Sequence, residues 1–318
     1  MKTVMYMRNP FPLSDDNKRY YTWNYYLKQR YGQKVCKVPL DAHFTCPNRD
    51  GTKGIGGCLY CSSRGSGDFA AVFPDLNAQF EAGREMMHRK WPNSLLIAYF
   101  QAYSNTYASI EYLKKVYEPF LEREDIVAIA IATRGDCINE EIAELLATWN
   151  QKKEIWVELG LQSIHDKSEK YMNRCHSVQE FEDALYLLHA RGIKCSAHII
   201  NSLPYESKED MIETAKYIAT LPLTAVKIHM LHLMEDTILG EMYKNEPFSL
   251  LTREEYVDVV VSQLEVLPPT MIIQRLTGDA PLDLLIEPRW TIKKTIVLNE
   301  IDKEMVRRDT YQGKYYMK

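Results

Sequence analysis

From residue 35 onward, short apolar runs alternate with longer stretches whose apolar residues recur every three to four positions. The runs predict strands over Val35–Leu40, Leu95–Phe100, Ile126–Thr133, Ile155–Leu161, Lys194–Ile200 and Ala225–Leu231. Runs apolar on both faces suit a parallel sheet covered by helices. The helical period predicts helices over Leu76–Lys90, Ser109–Leu121, Asn139–Asn150, Ser177–Ala190 and Lys208–Thr220. Asn139 before Glu140 and Glu141 is a favourable helix start, and Gly192 just past Ala190 a natural stop. Six such units without a Rossmann glycine fingerprint favour a barrel-like parallel sheet, with reactive groups at the C-terminal strand ends. Beyond about Leu239 the pattern changes to a helix at Arg253–Leu267, a strand at Met271–Leu276 and a terminal helix near Ile292–Arg308. The expected organisation is α/β: residues 1–34 as a basic aromatic N-terminal segment, 35–240 as the core barrel, and 241–318 as a C-terminal extension with a basic tail. Without internal repeats or low-complexity linkers, the three are expected to pack as one body.

Composition narrows the class. The 318 residues are 46% hydrophobic and 26% charged, and no apolar stretch of about 18 residues suits a membrane span. Met1–Pro12 lacks the layout of a secretory signal. Seven cysteines, an odd and scattered set, fit a reducing cytoplasm, where clustered thiols bind metal or do chemistry. Charge is uneven. Residues 1–40 carry eight Lys/Arg, Lys2 and Arg8 among them, against two Asp, and residues 289–318 carry eight against four acidic residues. Both basic ends hold aromatics, Tyr20, Tyr21, Trp23, Tyr25, Tyr26 and Tyr31 at one and Trp290, Tyr311, Tyr315 and Tyr316 at the other. Basic residues interleaved with stacking rings suit a nucleic acid; two solvated amphipathic ends are the plain alternative.

The chemistry concentrates after the first strand. Cys46, Cys58 and Cys61 lie on one loop with Gly51, Gly54, Gly56 and Gly57. Soft thiolates select zinc or iron–sulfur. Structural zinc wants four ligands, and only His43 could complete such a set. A four-iron cluster on three thiolates instead leaves one iron open for a reactant.

The Cys-x11-Cys-x2-Cys spacing resembles the radical S-adenosylmethionine (SAM) superfamily. The closest likeness is to the YhcC/YtqA-type family, related to the catalytic subunit of elongator. It runs through Asp41–Gly51 (DAHFTCPNRDG), Tyr99–Gln101, Ser104–Tyr107, Thr133-Arg134, Trp156–Asp166 (WVELGLQSIHD), Ala197–Ile200, Val226–His229, Arg275–Pro281 (RLTGDAP), Trp290 and Leu298-Asn299. The resemblance implies a partial (β/α)6 TIM-like barrel whose cysteines hold a [4Fe-4S] cluster, with SAM on the open iron and a 5′-deoxyadenosyl radical formed on reduction. It implies that Tyr60 lies near the SAM adenine, Gln101 near its amine, and Glu158 and Gln162 near its ribose or methionine. Arg174 would meet the SAM carboxylate, and Thr133, Arg134 and Asp136 would line the same cavity. It also implies a tRNA partner, conversion of a carboxymethylaminomethyl to an aminomethyl group on C5 of the wobble uridine, and an electron donor such as flavodoxin or ferredoxin. Ser202, Tyr205, Cys175 and Gly135 depart from the family pattern; Tyr205 and Cys175 replace glycines.

Other residues carry two readings. His198, His229 and His232, at the fifth and sixth strands, are expected either to face the SAM and substrate cavity or to be core histidines bonded to backbone. Whether Lys227 and His229 both face inward is left open by the pattern. Arg275 could hold a substrate phosphate or carboxylate, or pair with Asp279. Cys36, Cys137 and Cys195 read as buried thiols, while Cys175 neighbours Arg174. The competing functions are a radical SAM enzyme acting on a protein or small metabolite, and a zinc or iron–sulfur binding module.

Overall fold

The computed structural model describes residues 9–65, 67–70 and 73–317; Lys2 and Arg8 of the basic N-terminal segment lie outside them. The chain runs α1 (Trp23–Tyr31), β1 (Val35–Leu40), α2 (Leu76–Lys90), β2 (Leu95–Phe100), α3 (Ile110–Leu121), β3 (Ile126–Thr133), α4 (Glu140–Lys152), β4 (Glu154–Gln162), α5 (Asp166–Tyr171) and α6 (Val178–His189). It continues β5 (Lys194–Asn201), α7 (Lys208–Ala219), β6 (Ala225–Met230), β7 (Leu233–Met234), α8 (Ile238–Asn245), α9 (Arg253–Val266), β8 (Ile272–Arg275), β9 (Leu285–Glu287) and α10 (Lys294–Arg307). Local chemistry sets several starts. Ser177 and Ser207 close capping boxes with Glu180 and Asp210, and the Asn139 side chain accepts from the Ile142 amide.

Seven strands form one parallel sheet in the order β1-β2-β3-β4-β5-β6-β8. Strands are roughly 4.8 Å apart, so β1 and β6 would stand about 24 Å apart in a flat sheet. Here Lys37 of β1 and Lys227 of β6 both reach Glu158 of β4. The sheet is therefore curled into a half barrel, with those residues on its concave face. The convex face buries Val38, Leu40, Phe100, Ile129, Val157, Leu159, Ile199 and Ile228 against the helices.

Three features differ from the expectation. β8, expected in an appended region, extends the barrel sheet as a seventh strand beside β6. The short antiparallel pair β7–β9 was not visible, because two- and three-residue strands carry no period. Third, most of the N-terminal aromatics pack against the core. Trp23 and Tyr26 of α1 meet Trp156 edge-on, at 4.8 and 5.8 Å between ring centres, and join Leu27, Val35, Ile97, Ala128, Ala225 and Ile272. These inward residues belong to the strands' N-terminal halves, so α1 closes the base of the barrel. Tyr20 is buried too.

The two chain ends are knotted together at that base. Gln312 is fully buried; it accepts from the Tyr21 amide and donates to the Pro268 and Met271 carbonyls. Arg19 is buried and donates to the Met305 and Thr310 carbonyls, and Lys18 pairs with Asp302. Several of the charges and rings expected to face a nucleic acid, Lys18, Arg19, Tyr20, Trp23 and Tyr26 among them, thus hold the fold together. Among the expected basic ends, exposed Lys294 reaches the open side, where it pairs with Asp279.

Trp156→Ala removes the ring on which this base is built. It is expected to lower stability by about 3–5 kcal/mol, read from urea denaturation followed by circular dichroism.

Candidate active site

Above the aromatic base, the inward residues of the strands become polar. One cavity of about 680 Å³ opens at the C-terminal strand ends, under the cysteine loop. It is lined by Cys46, Cys58, Cys61, Tyr60, Gln101, Thr133, Arg134, Glu158, Gln162, Arg174, His198, Lys227, His229, His232 and Arg275. Of the expected site residues Asp136 is not among the lining: its carboxylate turns onto Arg134, which binds both its oxygens at 2.8 and 2.9 Å. Its place is behind the wall, fixing the guanidinium.

The loop is built to bring its thiols to the cavity. The Arg49 amide donates to the Cys46 carbonyl, and the Lys53 and Gly54 amides to that of Pro47. A side chain at Gly54 would fall 2.2 Å from Asn48 Oδ1, so only glycine lets the loop close there. Gly57 has a left-handed backbone, with φ 82°. Asn48, fully buried, donates to the Asn173 carbonyl at 2.6 Å and lies 3.6 Å from Cys58 Sγ. Asn173 answers by donating to the Ile55 and Gly57 carbonyls. This reciprocal pair fastens the loop to the segment after α5.

Two guanidiniums flank the thiols. Arg49 donates to the Cys61 and Ser62 carbonyls and lies over the Tyr103 ring; Arg134 donates to the Arg174 and Cys175 carbonyls. Burial pushes the Cys61 thiol up to about 12, with the Cys58 charge adding to the rise. Positive charge at Arg49 and Arg134, or a bound metal, favours the thiolates. Among the described residues, no trio of candidate ligands at this loop has its atoms within 4.8 Å of one another. A single zinc with bonds of about 2.3 Å would hold its sulfurs roughly 3.8 Å apart. Wider spacing fits a four-iron cluster, which takes each thiolate on a separate iron.

The remaining expected residues are placed as follows. The Tyr60 ring packs with Met172, Leu203, Leu231, Leu233 and Leu239 on one wall. Thr133 exchanges a hydrogen bond of 2.7 Å with Thr106. Gln162 has φ 61° at the register shift between β4 and β5, which turns its side chain back over Gly160. Arg174 reaches the cavity, but its two terminal nitrogens donate to the Leu161 and Gly160 carbonyls and to His176 Nδ1. It braces the end of β4. Burial, then Arg174, drives His176 down to about 2, so it stays neutral. Tyr205 and Cys175 lie outside the lining, at φ 66° and 50°. They keep a backbone that glycine adopts more readily.

Glu158 is the deepest charge. Its carboxylate receives Lys37 Nζ at 2.5 Å and Lys227 Nζ on its other oxygen, and His198 Nε2 lies 3.4 Å away. Burial alone would raise its pKa, but Lys227, Lys37 and His198 overcome this and hold it well below the carboxylate range. Tyr99 sits between the lysines, with both ammoniums 4.5 Å from its ring centre. Lys227 and His229 therefore both face inward. Burial takes His198 and His232 down to about 4 and holds His229 well below the usual imidazole range, so all three are neutral. Arg275 pairs with Asp279 at 2.7 Å. Lys37, Arg49 and Asn48 were missed as site residues; a lysine at an inward strand position between Val35 and Pro39 was the available signal for the first.

Comparison with known proteins places this geometry. Residues 54–218 match the Radical SAM superfamily and residues 223–307 the radical SAM C-terminal domain. The chain belongs to the radical SAM superfamily. Cys58 and Cys61 fall within the matched stretch and Cys46 just ahead of it. The chain is 44% identical to the uncharacterized protein YtqA of Bacillus subtilis, over 99% of this chain and 98% of that one. It is 32% identical to a tRNA uridine(34) acetyltransferase of Methanocaldococcus infernus over 56% of this chain, which is 33% of that protein. The archaeal Elp3 structure from the same organism superposes with a TM-score of 0.67 at 21% identity, over 88% of this chain and 64% of that one, and shares its fold. As a radical SAM enzyme, the chain uses a [4Fe-4S] cluster and SAM. No helix among the described residues is long and apolar enough to cross a membrane.

Replacing Cys46, Cys58 or Cys61 by Ala is expected to abolish cluster binding after anaerobic reconstitution. Cys36→Ala, near the start of β1 and away from the cysteine loop that follows the strand, is expected to keep it. Iron and sulfide analysis with the absorbance near 400 nm reads both outcomes, and a cluster retained in Cys58→Ala contradicts the ligand assignment.

Proposed function

We propose that this chain is a tRNA-modifying radical SAM enzyme acting on the C5 side chain of the wobble uridine, converting a carboxymethylaminomethyl group to an aminomethyl group. The observation that carries the reading is the kinship with proteins named for acting on tRNA uridine 34, over more than half of this chain. When bound, the reduced cluster supplies the electron that cleaves SAM to methionine and a 5′-deoxyadenosyl radical. Cys46, Cys58 and Cys61 would hold the cluster, with Arg49 and Arg134 offsetting its negative charge. Gln101, Gln162, Tyr60, Thr133 and Arg134 would form the SAM part of the cavity, above a floor of Glu158, Lys37, Lys227 and the histidines. A small iron–sulfur or flavin protein such as ferredoxin or flavodoxin would supply the electron.

The knotted basic ends favour a second reading. Tyr20 is buried, and Trp23, Tyr26 and Tyr31 pack half-buried at the base of the barrel, which suits a radical SAM enzyme acting on a protein or small metabolite. Nucleoside analysis decides between them. tRNA from cells lacking this protein is expected to accumulate carboxymethylaminomethyl-uridine and lose its aminomethyl derivative, and the purified enzyme with SAM and reductant is expected to restore the latter. An unchanged nucleoside profile overturns the tRNA reading and leaves the cluster assignment standing.

A further inference from the structure

The cavity floor sets two lysines, Lys37 and Lys227, against one carboxylate, Glu158. The nearby Arg275 is matched by Asp279, which also takes Lys294. Burial draws Lys227 down from the usual amine range, so an anion seated between the two lysines would hold both protonated and complete the floor. The histidine wall is incomplete in the same sense. His229 and His232 each bury an Nε2 with no hydrogen-bond partner and line the cavity, while the third ring, His198, turns its Nε2 toward Glu158 at 3.4 Å. The His198 and His229 rings lie 5.5 Å apart, tilted by 32°. His229 and His232 both flank Gly278, where a side chain would strike the His232 ring at 2.6 Å. The absent side chain at Gly278 lets these two rings stand together. Among the described residues the three do not gather tightly enough to hold one metal ion. Two lysines on one carboxylate and unspent ring nitrogens on the same floor call for a small organic ion carrying both an acceptor and a donor.

We infer that this floor is a subsite for an N-carboxymethyl amine, its carboxylate seated on Lys37 and Lys227 and its amine N–H facing the ring nitrogen of His229. Lys37 is the specificity-determining member, because Lys227 alone already neutralises Glu158. The inference rests on the proposed tRNA reading for its biological substrate, and its chemistry can be tested apart from it.

The probe is N-methylglycine, which carries the methylamine and carboxylate of that side chain, titrated calorimetrically into the anaerobic holoenzyme with SAM bound. The wild type is expected to bind it, Lys37→Gln to bind at least about ten-fold more weakly, and Lys37→Arg to bind as the wild type does. N-methylglycine amide, lacking the charge, is expected to bind the wild type as poorly as the acid binds Lys37→Gln. Iron and sulfide content together with circular dichroism report that the variants keep cluster and fold. Equal binding by wild type and Lys37→Gln, or none by the wild type, overturns the subsite. On tRNA, Lys37→Gln is expected to raise KM about ten-fold with kcat little changed. A wild type that binds the probe yet leaves tRNA unmodified overturns only the tRNA reading.

Discussion

Glu158 lies on the middle strand of the sheet, and ammonium groups from strands near its two edges meet on it. That convergence ties β1 and β6 to β4 across the concave face, and it exists only because the sheet is curled. It also divides the interior into two worlds. Below it, Trp156, Trp23, Tyr26 and Ile97 fill the barrel with rings and methyl groups. Above it the strand tips bring Ala132, Gly160 and Gln162, with Ile200, to the lining, and the cavity stays open beneath the cysteine loop. A buried carboxylate with two lysines is expensive to assemble, and removing the carboxylate would strand both amines. Such a layer makes a firm floor.

The site above it is layered in the same way. Asn48 and Asn173 fasten the cysteine loop, Arg134 reaches over from β3 to the Arg174 and Cys175 carbonyls, and Asp136 holds Arg134 from behind. Arg174 in turn pins the end of β4, where Gln162 turns out of register. Several residues that sequence motifs single out thus act one step from the reactants. They set the positions of the loop and strand tips, and the thiols and Gln101 face the space itself.

Much of this was legible in the chain. The six long strands appear within a residue or so of where their apolar runs predict, because a strand buried on both faces writes an unbroken run. The three cysteines announce their chemistry by spacing. What escaped has physical reasons. Trp23–Tyr31 reads as basic and aromatic, and nothing in its composition says that its rings face Trp156 more than 120 positions later. β8 has four residues, and its place beside β6 depends on a crossover through α9. Lys37 looks like one more surface charge until the curl brings Glu158 to it. Asp136 carries the right chemistry two residues from Arg134, and only the backbone turn after β3 shows that it faces the guanidinium.

The account stands on the three thiols leaving one iron open to SAM. The most direct test is electron paramagnetic resonance of the dithionite-reduced, anaerobically reconstituted protein with and without SAM. A [4Fe-4S]⁺ signal whose g-values shift on adding SAM is the predicted result. A cluster signal indifferent to SAM, or a colourless protein with one zinc per chain, contradicts it.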